Sequence, residues 1–220
     1  FALLESKDLK HWNTCDGSAY CMILSPGTAT FGTDMFWAPQ ILKDNGNYYL
    51  TYSANEQTAL AKSESLYGPY VGVTSNVQPI DGSEKNIDSF IFKDDDGTYY
   101  LYHVRFNHGN YIWVAEFDVE KGIVKSETLK QCLDYTEKWE KTDNNLWDPI
   151  MEGPTVIKMD GMYYMFYSAN HFLNKDYDVG YATAKSPMGP WTKYEGNPII
   201  HRNIVGENGS GHGDFFVGLD

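Results

Sequence analysis

One unit of sequence recurs three times: a strand-entry motif, an apolar strand, a turn ending in glycine, and an aromatic-rich strand. It reads "WAPQILKDNGNYYLTYSA" from Trp37 to Ala54, "IDSFIFKDDDGTYYLYHV" from Ile87 to Val104 and "MEGPTVIKMDGMYYMFYSA" from Met151 to Ala169. Asn-Gly and Asp-Gly steps between apolar runs are strong hairpin signals, because these residues tolerate the positive φ that tight hairpin turns require. "GHGDFFVGLD", Gly211 to Asp220, matches a fourth entry without its turn. With Ala38, Asp88, Glu152 and His212 as entry points, successive units are 50, 64 and 60 residues apart.

The ends of the units agree as well. "SKDLKHW", "SESLYGPY" and "SPMGPW" each follow a strand and finish on an aromatic residue. Repeats of this length have room for four strands each and predict the blades of a β-propeller. No run shows the 3.6-residue periodicity of a helix. The expected fold is all-β, a single propeller domain over residues 1–220 that is incomplete at both ends: the tail of blade one, three whole blades and the start of blade five.

Charge narrows the partners. The 30 acidic residues outnumber 17 basic ones, a net charge of −13 that repels phosphate backbones and anionic lipid, so no nucleic acid and no membrane surface is expected. No apolar run has membrane-spanning length and Phe1 opens no signal-peptide pattern. Of the three cysteines, Cys15 and Cys21 could at most close one short loop, and the compartment stays open.

Propeller geometry brings the entries of successive innermost strands to one end of a central channel. Asp88 and Glu152 therefore converge there, with His212 beside them. Two carboxyls in one cleft hold each other's charge off, so one keeps its proton to higher pH and can serve as a general acid.

At these residues the chain resembles glycoside hydrolase family 43, the five-bladed propeller glycosidases. The resemblance runs from "FWAPQI" and "NGNYYLTYS" through "IDSFIFKDDDGTYYLY", "EGPTVIKMDGMYYMFYS" and "DVGYATAKSPMGPW" to "GHGDFF". It implies inverting hydrolysis of a glycosidic bond, with Glu152 as general acid and Asp88 tuning that acid and orienting substrate. It implies that His212 stands beside a water-coordinated calcium in the channel; no other cofactor is expected. The general base belongs to the first strand of the first blade, which would precede Phe1, and no residue here corresponds to it. The implied partner is an oligo- or polysaccharide, with terminal xylose or arabinofuranose of plant cell-wall glycans as the leading substrates. Related propellers act on galactose- or fructose-containing glycans, and a propeller that only binds a glycan or protein is the alternative from another class.

Further residues are candidates for touching substrate. Trp37 and Phe36 precede an entry, where an aromatic face could stack on a sugar or simply pack between blades. Arg105, with Asn107, could reach the rim through a loop, and His171 in "SANHF" has similar standing. Asp94-Asp95-Asp96-Gly97 lacks the spacing of a calcium loop and reads as a hairpin turn. His103 and His108 lie away from the entries, and His11 and His201 read as surface residues.

Overall fold

The computed structural model describes residues 1–15, 21–27, 29–74, 77–81, 84–216 and 218. Residue 217 and residues 219–220 of the fourth entry, and residues 16–20 between the two paired cysteines, lie outside the described residues. Cys15 and Cys21 form a disulfide and Cys132 is free.

Among the described residues the strands form four antiparallel sheets. The first holds β1 (Ala2–Ser6), β2 (Trp12–Thr14) and β3 (Cys21–Met22) in the order β2-β1-β3. The second runs β4 (Trp37–Asp44), β5 (Asn47–Ala54), β6 (Gln57–Ser63) and β7 (Val71–Gly72). In the third, β8 (Asn86–Lys93), β9 (Tyr99–Phe106), β10 (Asn110–Asp118) and β11 (Ile123–Val124) follow one another, with β12 (Lys130–Gln131) also on β10. The fourth runs β13 (Met151–Met159), β14 (Met162–Ala169), β15 (Asp178–Ala184) and β16 (Thr192–Lys193). A single α-helical turn, Arg202–Val205, follows. No helix of the described residues is long and apolar enough to cross a membrane.

The strands β4, β8 and β13 are innermost, and β8 packs against both of the others. Each central strand feeds two cores, because successive side chains point to opposite faces. From β9, Tyr100, Tyr102 and Val104 meet Met151, Val156, Met165 and Tyr167 of the fourth sheet, whereas Leu101 faces Tyr49 and Leu60 of the second. This explains why "YYLTYSA" on β5 and "YYLYHV" on β9 are buried almost throughout, both faces of these blades being covered, whereas in "YYMFYSA" on β14 Tyr164 and Phe166 are only half-buried.

The turns are as expected. Asn45-Gly46 and Asp160-Gly161 both carry positive φ, and in the longer turn the Asp94 N–H bonds to the Thr98 carbonyl at 2.9 Å. The entry register differs from expectation. Pairing jumps between Trp37 and Gln40, between Ile87 and Phe90, and between Glu152 and Thr155, which inserts one extra residue on each innermost strand. The left-handed residue inside each bulge is Ala38, Asp88 and Gly153, with φ of 48°, 55° and 58°, and His212 follows at 50°. Gly153, not Glu152, is therefore the structural equivalent of Asp88. Glu152 corresponds to Ile87 and Trp37.

Candidate active site

The bulges set the site. A left-handed non-glycine residue costs on the order of 1–2 kcal/mol, and here the backbone amide it exposes is captured by the neighbouring blade. The N–H of Asp88 donates to Ser53 Oγ at 3.0 Å and that of His212 to Ser168 Oγ at 2.7 Å. These two serines sit at one position of the repeat, since Ser53 pairs with Trp37 and Ser168 with Glu152. In the blade between them Val104 pairs with Ile87 and has no oxygen to offer. The Gly153 N–H turns instead to Asp88 Oδ2, at 3.1 Å. The carboxylate of Asp88 thus holds the backbone next to Glu152.

Glu152 is buried, and Tyr177 Oη donates to its Oε1 at 3.0 Å. The Asn110 side chain is a second hydrogen-bond partner. Burial, then the charge of Asp88, push the Glu152 carboxyl up to about 8, against the opposing pull of Tyr177 and Asn110. Burial also raises Asp88, while His212 and the Gly153 N–H draw it back down. Two coupled acids in one desolvated pocket share protons as a pair, and burial favours the neutral form of both. Burial raises the Tyr177 phenol as well, so it remains a donor.

His212 Nδ1 stands 3.6 Å from Asp88 Oδ2. The segment around it is pinned by Thr155 Oγ1, which donates to the Gly213 carbonyl at 2.7 Å. Gly153 is required at this crossing: a Cβ there would come within 3.0 Å of the His212 ring, on top of the strain of a positive φ. Beside the site, a cavity of about 170 Å³ lies among the innermost strands, bounded by Ala38, Gln40, Ser89, Pro154, Thr155 and His212. Calcium takes six to eight oxygen ligands. Among the described residues no three His, Cys, Asp or Glu side chains converge as a cage for a metal ion.

Asp88, Glu152 and His212 are thus brought together, Glu152 from one position earlier in its strand than Asp88. Trp37, 45% exposed, occupies in its blade the position that Glu152 occupies two blades on. Phe36 is committed to packing, stacked on Tyr52 with ring centroids 5.9 Å apart and edge-on to Phe1. Arg105 is engaged by Glu84 at 3.4 Å and lies over the Trp113 ring. His171 lies between Trp147 and Phe172 on the surface. His103 is fully buried, facing Asp81 at 3.6 Å. His11 is exposed beside Asp8, but His201 departs from its surface reading: it is largely buried, faces Asp176 at 3.8 Å and caps the short helix.

Sequence reasoning missed Tyr177, Asn110 and the two serines. The serines carried a signal, the shared "YSA" at Tyr52–Ala54 and Tyr167–Ala169. Tyr177 and Asn110 come from loop-strand junctions outside the repeated unit, where no second copy marks them.

The family model described as Glycosyl hydrolases family 43 matches residues 1–220. The crystal structure of an endo-1,4-beta-xylanase from Bacteroides thetaiotaomicron superposes with a TM-score of 0.85 at 44% identity, covering 97% of this chain and 70% of that one. A thermostable family-43 glycoside hydrolase gives a TM-score of 0.81 at 35% identity, covering 96% and 70%. Among curated relatives, a beta-D-galactofuranosidase of Aspergillus niger is 28% identical over 82% of this chain and 52% of its own length. A beta-xylosidase of Xylanibacter ruminicola is 28% identical over 77% of this chain and 58% of its own length. The chain thus spans a little over half the length of these curated relatives. The four sheets are blades of the five-bladed propeller of these enzymes.

Proposed function

Because the chain belongs to glycosyl hydrolase family 43, we propose that the whole protein removes terminal xylose or arabinofuranose from plant cell-wall glycans by inverting hydrolysis. The observation that carries this reading is the buried pair of Asp88 and Glu152, in which Asp88 holds the amide next to Glu152, Tyr177 donates to Glu152, and burial raises the Glu152 carboxyl. A carboxyl that is neutral at pH 7 can hand its proton to the leaving oxygen, and its conjugate base is then stabilised by Tyr177 and Asn110. Asp88 tunes that proton affinity by its charge and holds the Gly153 amide, which fixes the direction of Glu152.

Inversion also requires a base carboxylate about 6.5–9.5 Å from the acid, with room for water between them; none of the described residues is assigned that role. Trp37 and His212 are the side chains of this chain best placed to meet the sugar. Calcium in the channel would be held through water, with His212 at its edge. The likeness to a galactofuranosidase favours a second reading, a furanoside of galactose as the substrate at the same site.

Glu152→Ala in the full-length protein tests the acid. Hydrolysis of natural glycosides should fall by about 10²–10⁴-fold, while aryl glycosides whose leaving groups need little protonation lose far less. Equal loss on both substrate types with binding intact refutes the assignment.

A further inference from the structure

In the loops that precede β13 and join β14 to β15 the surface carries a group of aromatic rings that the reaction does not use. Trp147 is 63% exposed and Phe172 61%, and His171 lies between them. The ring centroids are 5.6 Å apart from Trp147 to His171 and 4.8 Å from His171 to Phe172, with interplanar angles of 21° and 24°. Near-parallel rings of which two are more than half exposed keep aromatic surface available to solvent.

The loops beneath these rings are tied down. Asn170 and Asp176 are buried between them. Asn170 accepts the Thr142 N–H at 2.8 Å and donates to the carbonyls of Trp139 and Asp176 at 2.8 and 3.0 Å. Asp176 accepts the Thr142 hydroxyl at 2.9 Å and pairs with Arg202 at 2.8 Å. The Trp147 N–H is held by Asn145 Oδ1 at 3.1 Å, and the Leu173 N–H by His171 Nδ1 at 3.2 Å. A buried polar hub under exposed, stacked rings is the arrangement of a preorganised binding surface.

Its position says which part of a ligand it meets. Trp147 lies five residues before Glu152, so their Cα atoms are at most ~18 Å apart. The loop bearing His171 and Phe172 ends at Tyr177, the donor to Glu152. A general acid sits on the leaving-group side of the scissile bond, and the loops of its own blade flank that side. A neutral polyhydroxylated chain also escapes the repulsion that a net charge of −13 imposes on anionic partners.

We propose that Trp147, His171 and Phe172 form a leaving-group-side subsite that stacks on the C–H face of a sugar ring in an oligosaccharide. The assignment of side rests on Glu152 being the acid.

The test uses the full-length protein with Trp147→Ala and Phe172→Ala, and Tyr67→Ala as an exposed aromatic elsewhere. Xylotetraose and arabinotetraose are titrated calorimetrically against each variant in a Glu152→Gln background. The platform variants should weaken binding of at least one tetrasaccharide about tenfold, and Tyr67→Ala should not. With Glu152 restored, the kcat/KM ratio of that tetrasaccharide to its 4-nitrophenyl monoglycoside should fall by a similar factor. Unchanged binding in both platform variants, or no binding of either sugar to the parent, overturns the proposal. So does a shift from dimer to monomer in sedimentation with sugar binding intact, which would make the patch an interface between copies. Loss of the hydrolytic reading leaves the titration decisive, because binding is measured without turnover.

Discussion

At the residue scale the site turns on how one proton is held. The charge of Asp88 raises Glu152 and the Tyr177 hydrogen bond lowers it. The two partners therefore predict shifts of opposite sign in the alkaline limb of the pH–rate profile, which reports loss of the acid's proton. Asp88→Asn removes the charge while keeping an oxygen for the Gly153 N–H, and should move that limb down by about one unit. Tyr177→Phe removes a donor to the ionised form and should move it up. Profiles of kcat/KM for both variants and the parent check this; shifts in the same direction would mean that packing, not electrostatics, controls the acid.

At the element scale the blades are joined by a device that repeats at the hairpin end, away from the bulges. Asp44 accepts from Lys93 at 2.6 Å and from the Tyr99 hydroxyl, both on the next blade. Asp94 accepts from Lys158 at 2.7 Å and Tyr163 at 2.5 Å, again one blade on. The aspartate run at Asp94 is thus a hairpin turn that also clamps its neighbour. In the fourth sheet the clamp aspartate is replaced by Met159 at the corresponding turn. Asp44→Asn and Asp94→Asn should each lower the unfolding midpoint by a few degrees, and the loss should shrink in high salt because screening already weakens such pairs. Thermal unfolding at two ionic strengths measures it.

For the whole molecule, the buried acids make stability depend on pH in a definite direction. Burial pushes Glu152 and Asp178 up to about 8, well above the ~4 of an unfolded chain. Between those values the folded state keeps protons that the unfolded state has lost. Each acid's contribution is complete below its unfolded pKa and is lost as pH rises through the folded one, at about 1.4 kcal/mol per pH unit. Asp44 and Asp94 are lowered by their lysine and tyrosine partners, Asp94 despite its burial, so their contribution is lost as pH falls. Stability should peak at mildly acidic pH. Glu152→Gln should make the protein more resistant to urea at pH 8 than the parent, with the difference vanishing towards pH 4. An equal difference at both pH values would mean that the gain does not come from ionisation. A site that holds a neutral acid is then less stable than its inactive variant at the pH where it works.

The sequence by itself determined the blades. Strand alternation, Asn-Gly and Asp-Gly turns and doubly covered aromatic strands are local requirements, and each is written in neighbouring residues. The proximity of Asp88, Glu152 and His212 was legible from the repeat, although Glu152 stands one residue before the position that Asp88 occupies in its strand. Only the tertiary structure decided the register, because a bulge is one residue of extra chain whose position depends on the partner strand, and the Gly-Pro after Glu152 reads equally well in either frame. Partners supplied across blades were also out of reach. Nothing local distinguishes the Asp88 carboxylate holding the Gly153 amide, where Val104 has no oxygen, or Tyr177 reaching Glu152. Phe36 and Arg105 show the same limit, since whether a side chain meets substrate or packs depends on neighbours many residues away in the chain.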